Sequence, residues 1–202
     1  MLRFIRVNKK MNKVMKTKNT AYKAAIRPAI TTGVILLLPL IAMQFTDEVV
    51  WDLVDFVAAG ILIFGTGLAY KLMARIGGTL AYKTAVGVSL ATTFLLVWVN
   101  SAVGIIASEN NDANLMYFGV LAIGIISIII ARFQPLGMAC ALFATAIAQA
   151  SVPVIALIIW PPISWGSAGV FGVFVLNAFF AMLFVGSAWL FRNAAQEKNI
   201  SD

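Results

Sequence analysis

Apolar residues fall into six long runs separated by short polar turns. They cover roughly Pro28–Phe45, Leu53–Met73, Thr84–Ile106, Leu115–Ala131, Gly137–Trp160 and Ala168–Phe191. A bilayer core about 30 Å thick is crossed by roughly 20 apolar residues in a helix. The first and fourth runs sit at the short end of that range, and the rest fill it. Outer-membrane strands would instead be about ten residues long and alternate apolar with polar. The pattern therefore predicts an all-α protein, a six-span transmembrane helical bundle. It divides into a basic tail over 1–27, a transmembrane domain over 28–192 and a short tail over 193–202. The connections are too brief to hold a folded domain outside the membrane.

Composition sharpens this. Of 202 residues, 61% are hydrophobic and 11% are charged, with a mean hydropathy of +0.94. Soluble domains run near 45–50% apolar and about 25% charged, and a chain this small has too much surface to hide the excess. A soluble enzyme, a free nucleic-acid binder and a disulfide-stapled secreted domain are excluded.

Charge sets the expected orientation. Nine of the fifteen Lys and Arg residues lie between Arg3 and Arg27. Lys71, Arg75 and Lys83 flank the second turn, Arg132 follows the fourth span, and Arg192 and Lys198 follow the sixth. The other three connections carry Asp47, Glu48, Asp52, Glu109 and Asp112 and no basic residue. The excess of Lys and Arg in short cytoplasmic loops predicts both termini inside, in a layout suited to a bacterial inner membrane. In the basic tail, Phe4, Val7, Met11 and Val14 recur at helical spacing. Such a segment can lie on anionic lipid headgroups, each Lys or Arg contributing about 1 kcal/mol, or serve only to hold topology. No nucleic-acid module accompanies it. A cleaved signal peptide is disfavoured by the long run Ile30–Phe45. A start at Met11 or Met15 would leave part of the tail outside the native chain.

Helix association in lipid relies on close packing and polar contacts. Small residues mark expected contacts at Ala144 with Ala148, Ala146 with Ala150, Gly60, Gly65 and Gly67, Gly87 with Ala91, and Gly166, Gly169 and Gly172. Pro39 and Pro153 each remove a helical hydrogen bond and are candidate hinges, fixed bends being the commoner outcome. Spans two–three and four–five share a faint likeness of the kind seen in parallel repeats. Trp51, Trp98, Trp160, Trp165 and Trp189, with Tyr70, Tyr82 and Tyr117, fall near span ends and suggest an aromatic belt. Pro161 and Pro162 suggest a stiff turn.

Polar residues near the membrane carry the candidate chemistry. Asp52, Asp55, Asn100, Glu109, Asp112, Gln149 and Asn177 all fall toward one half of the bundle. They would form an outward-facing polar vestibule attractive to cations, since carboxylates and amide oxygens suit hard ions. The plainer reading gives Asp52 and Asp55 to the start of a helix, where the macrodipole favours negative charge. It leaves Gln149 and Asn177 to bonds between helices. Histidine is absent, and no P-loop, HExxH or Gly-x-Ser-x-Gly motif occurs. Cys140 lies in an apolar stretch. Enzymatic activity, a resident metal and a cofactor are therefore not expected.

The stretches Leu37–Asp55 and Val97–Ala131, followed by Arg132-Phe133-Gln134-Pro135-Leu136-Gly137-Met138-Ala139, resemble a group of small bacterial multi-pass membrane proteins with no assigned activity. The likeness covers the chain after about Lys18. It implies a multi-pass fold and brings no substrate or site residues. Two functions follow as expectations. A transporter or channel for a small solute or cation would bring Asp55, Asn100, Gln149 and Asn177 to one shared cavity. A structural or accessory protein, acting on a membrane partner or a second copy of itself, would have an apolar, tightly packed interior and no continuous polar path.

Overall fold

The structure, a computed structural model, describes residues 2–108, 110–160 and 165–201, with side chains defined within 23–197 of these. Glu109, Pro161 and Pro162 lie outside the described residues, as do the side chains Phe4, Val7, Met11 and Val14. The protein is all-α. Its helices are α1 (Leu2–Phe45), α2 (Leu53–Met73), α3 (Leu80–Ala102), α4 (Met116–Ile130), α5 (Pro135–Ile159) and α6 (Gly169–Ser201). A 3-10 turn, Asp112–Leu115, leads into α4. Six segments within these elements are long and apolar enough to cross a membrane, as the hydrophobic runs predict.

The boundaries differ from the hydrophobic pattern for local reasons. Helix α3 starts at Leu80 rather than near Thr84 because Thr79 caps it, its hydroxyl accepting from the Tyr82 amide at 3.2 Å. Helix α5 starts at Pro135, whose missing N–H is no loss in the first turn, after Gln134. Helix α6 continues through the residues read as a C-terminal tail. Helix α1 likewise joins the basic segment to the first span as one helix.

The chain divides into two compact units, Met1–Leu72 and Met73–Asp202. In the first, α1 and α2 form an antiparallel pair. Pro28 lies against Gly67, where an added Cβ would come within 3.3 Å of the Pro28 Cβ. One turn away, the Lys71 ammonium donates to the Lys23 carbonyl at 2.8 Å. Helix α1 runs unbroken through Pro28 and Pro39. Within residues 23–72, only Ala24, Pro28, Thr32 and Ala59 are buried, so these helices present their apolar surface outward.

The second unit is an up-and-down bundle of α3–α6. Helix α5 packs against α4 and α6, and α3 packs against α6. One line of buried positions on each of α3, α5 and α6 steps alternately by three and four residues, with Val86, Asn100, Ala139, Ala141, Ala146, Pro153, Ala181 and Ala188 also buried. In α3 the line is Tyr82, Ala85, Ser89, Thr92 and Leu96. In α5 it is Met138, Leu142, Thr145, Gln149, Val152 and Ala156. In α6 it is Val173, Asn177, Phe180, Phe184, Ser187, Phe191 and Ala194. A 3.5-residue repeat is the seam of left-handed helix packing.

Small residues do admit close approach, at selected positions. Gly124 of α4 faces Thr145 of α5, where a Cβ would sit 3.2 Å from the hydroxyl. Ala146 is buried, whereas Ala144 and Ala150 are exposed. Most buried hydroxyls bond their own helix: Thr92 to the Val88 carbonyl at 2.8 Å and Thr145 to Ala141 at 2.9 Å. Ser187 instead crosses from α6 to the Ala85 carbonyl of α3 at 2.8 Å.

One end of this bundle is closed by Tyr82. Its hydroxyl donates to the Phe133 carbonyl at 3.0 Å, and its ring meets Phe191 edge-on at 5.1 Å. Arg132 and Phe133 both adopt positive φ there. Arg75, Lys83, Arg132 and Arg192 share that end, and Asp112 lies at the other.

The aromatic-belt expectation needs correction at three residues. Tyr82, Tyr117 and Trp165 are 0%, 1% and 3% exposed. Each is buried because its polar atom has a partner inside the protein; the Trp165 indole, for example, donates to the Trp160 carbonyl at 3.1 Å. Trp189 and Tyr70 are exposed, as anchoring residues would be.

Candidate functional site

The deepest polar cluster joins three helices. The buried α5 seam carries Gln149, and the facing seam of α6 carries Asn177. Gln149 Nε2 donates to Asn177 Oδ1 at 2.9 Å. Asn177 Nδ2 donates to the Tyr117 hydroxyl at 2.9 Å and to the Val173 carbonyl at 2.8 Å. The Tyr117 hydroxyl, arriving from α4, lies 3.2 Å from Asn177 Oδ1 as well. All three side chains are essentially inaccessible. In hydrocarbon an amide without partners costs several kcal/mol, so the cluster holds α4, α5 and α6 in register.

One atom in it stays unsatisfied. Gln149 Oε1 is buried and has no hydrogen-bond partner. Four residues on, Pro153 has no N–H to give to the Gln149 carbonyl, and α5 nevertheless continues through it. Gln149 therefore carries an unpaired side-chain acceptor and lacks its usual helical backbone donor.

A second polar set ties down the α3–α4 connection. Asn114 Oδ1 accepts from the Ile105 and Ile106 amides at 3.1 and 2.9 Å. Its Nδ2 donates to the Ile106 carbonyl at 3.1 Å and to the Ser108 carbonyl. Asn100 Nδ2 donates to the Asn114 carbonyl at 3.4 Å, while Asn100 Oδ1 is buried and unpartnered. Asn100 and Asp112 share an open depression of about 270 Å³ that neither Gln149 nor Asn177 lines.

The acids of α2, in the first unit, bond one another. Asp52 Oδ1 accepts from the Asp55 amide at 2.8 Å, and Asp55 Oδ2 accepts from the Asp52 amide at 2.9 Å. This is a reciprocal capping box, and both residues are exposed.

The predicted vestibule residues thus fall into groups. Gln149 and Asn177 meet; Asn100 and Asp112 line one depression; Asp52 and Asp55 cap a helix; Glu109 lies outside the described residues. Among the described residues, no three His, Cys, Asp or Glu side chains are grouped to hold a metal ion. Sequence reasoning missed Tyr117 and Asn114. The signal was available in the 3.5-residue register of polar positions, which Ser89, Thr145, Gln149, Asn177 and Ser187 all obey. Hydropathy hides it, because lipid-facing and buried sides are equally apolar.

No protein family, curated protein or solved structure matches this chain.

Proposed function

We propose that this multi-pass membrane protein is a non-enzymatic structural or accessory component of a bacterial cytoplasmic membrane, with both termini cytoplasmic. This reading includes membership of the small bacterial group that residues 37–55 and 97–139 resemble. The observation that supports it is the Tyr117–Asn177–Gln149 cluster, whose polar groups are largely consumed in bonds between helices. The bundle acts as a rigid support, and its exposed helix faces meet lipid, a membrane partner or a second copy. The basic α1 start contributes contact with anionic headgroups.

Proteoliposomes carrying the purified protein test this. Fluxes of sodium, potassium and small neutral solutes should equal those of protein-free vesicles. Flux above that level, lost on Gln149→Leu, would replace this reading with the second one.

The second reading is passage of a small solute or cation. It draws on the unpaired acceptors Gln149 Oε1 and Asn100 Oδ1, which a permeant donor or cation would satisfy in turn. On this reading Pro153, which loosens the helix at Gln149, and Pro39 act as hinges.

A further inference from the structure

The basic end of the α3–α6 bundle holds a cavity of about 360 Å³ between the turn that precedes α3 and the turn that precedes α5. Gly77, Gly78 and Thr79 line one side, and Arg132, Phe133 and Gln134 line the other. Its acceptors are largely spent. The Gly77 carbonyl accepts from the Thr79 amide at 2.7 Å, and the Phe133 carbonyl from the Tyr82 hydroxyl at 3.0 Å. The Thr79 and Gln134 carbonyls accept from the Lys83 and Met138 amides at 3.2 and 2.8 Å.

Its donors are left over. Among the described residues, the amides of Gly77, Gly78 and Phe133 have no acceptor. The Thr79 hydroxyl accepts from the Tyr82 amide and gives its own proton to no described group. The Gln134 side chain makes no capping bond. The Arg132 guanidinium enters no ion pair with a described residue. The described acids of this unit, Asp112 and Glu197, do not line the cavity. A cavity with spent acceptors, free donors and an unbalanced positive charge selects an anion. Helices α3 and α5 both begin at its rim, and the positive ends of their dipoles add to the same field.

Phosphate fits this donor set better than a carboxylate does. A carboxylate brings two oxygens. A phosphate presents more, spread over several directions, and two of them match the guanidinium fork. Location supports the same choice. The cavity lies just past the ends of the membrane-crossing segments Leu80–Ala102 and Pro135–Ile159, at the level of lipid headgroups. Basic pockets between membrane helices bind such headgroups.

We propose that the Gly77–Arg132 cavity binds a phosphate group, carried by an anionic phospholipid headgroup or supplied as free phosphate. The site stands whichever of the two functional readings holds.

The test uses the full chain in dodecyl maltoside, read by calorimetry. The titrants are dihexanoyl phosphatidylglycerol, inorganic phosphate and dihexanoylglycerol, which has the same acyl chains and no phosphate. The phosphatidylglycerol should bind at least about tenfold more tightly than the dihexanoylglycerol. Arg132→Gln should weaken binding by about tenfold with an unchanged melting temperature, since Arg132 is exposed. Arg192→Gln, at the same end of the bundle but outside the cavity wall, should leave binding as it is. Tighter binding of the lipid than of inorganic phosphate assigns the site to headgroups, and the reverse order assigns it to the free ion. Equal binding of dihexanoylglycerol and the phosphatidylglycerol would overturn the proposal. So would an equal loss in the Arg132 and Arg192 variants, or no binding of either phosphate compound.

Discussion

Gln149 of α5 donates to Asn177 of α6 across 2.9 Å, with both side chains almost wholly buried. Asn177 in turn engages Tyr117 of α4, so a single amide links three helices. Polar contacts between membrane helices average about 0.6 kcal/mol, but removing the hub strands two other buried groups. Asn177→Leu should therefore cost about 1–3 kcal/mol in equilibrium unfolding from mixed micelles. Combining it with Gln149→Leu should cost less than the sum of the two single changes, because the second change removes a group already orphaned. Strict additivity would show that the three side chains do not act as a unit.

Tyr82 fixes the opposite end of the bundle through its bond to the Phe133 carbonyl. Tyr82→Phe keeps the ring contact with Phe191 and loses only the hydroxyl. The expected loss is about 1 kcal/mol, with faster amide hydrogen exchange confined to residues 131–134. Unchanged exchange there would mean that the turn holds itself.

Gly77 packs directly on the Tyr82 ring, leaving no room for a Cβ. Gly77→Ala should destabilise by about 1–3 kcal/mol through overpacking. Gly119→Ala is the control, since a Cβ at this position in α4 meets nothing within 4 Å. It should be neutral or stabilising by up to about 1 kcal/mol. Thermal melting of the two variants in the same detergent distinguishes them.

The Asp52–Asp55 capping box makes the acids of α2 structural. Asp52→Ala should cost about 0.5–2 kcal/mol, whereas Asp52→Asn, which still caps, should cost little. If instead both substitutions had equal effects on stability, the carboxylate charge and not the cap would be the reason for these residues.

Orientation is open to direct measurement. A cysteine placed at Ser101, in a Cys140→Ser background, should react with an impermeant maleimide added to intact cells. One placed at Arg132 should react only after lysis. The reverse pattern would invert the topology expected from the basic residues.

Much of the architecture was legible in the chain. Six apolar runs of spanning length dictate six helices, because the bilayer leaves backbone polar groups no other partners. The span Leu53–Met73 matches α2 at both ends. Boundaries elsewhere moved for local reasons: the Thr79 cap begins α3, and Pro135 in the first turn begins α5, earlier than hydropathy suggests. The sequence also singled out Gln149 and Asn177 as interior polar residues. It did not show that Tyr117 completes their cluster, that Asn114 organises the α3–α4 connection, or that Asp52 and Asp55 satisfy each other. Hydrophobicity measures transfer from water into an apolar phase, so it determines which segments enter the membrane. It is nearly blind to which face of a membrane helix meets protein, since lipid and leucine are alike. Only the tertiary structure, by setting the 3.5-residue seams and bringing donors to within 3 Å of acceptors, decided which polar groups are spent on packing. The same packing left Asn100 and Gln149 each with an acceptor unanswered.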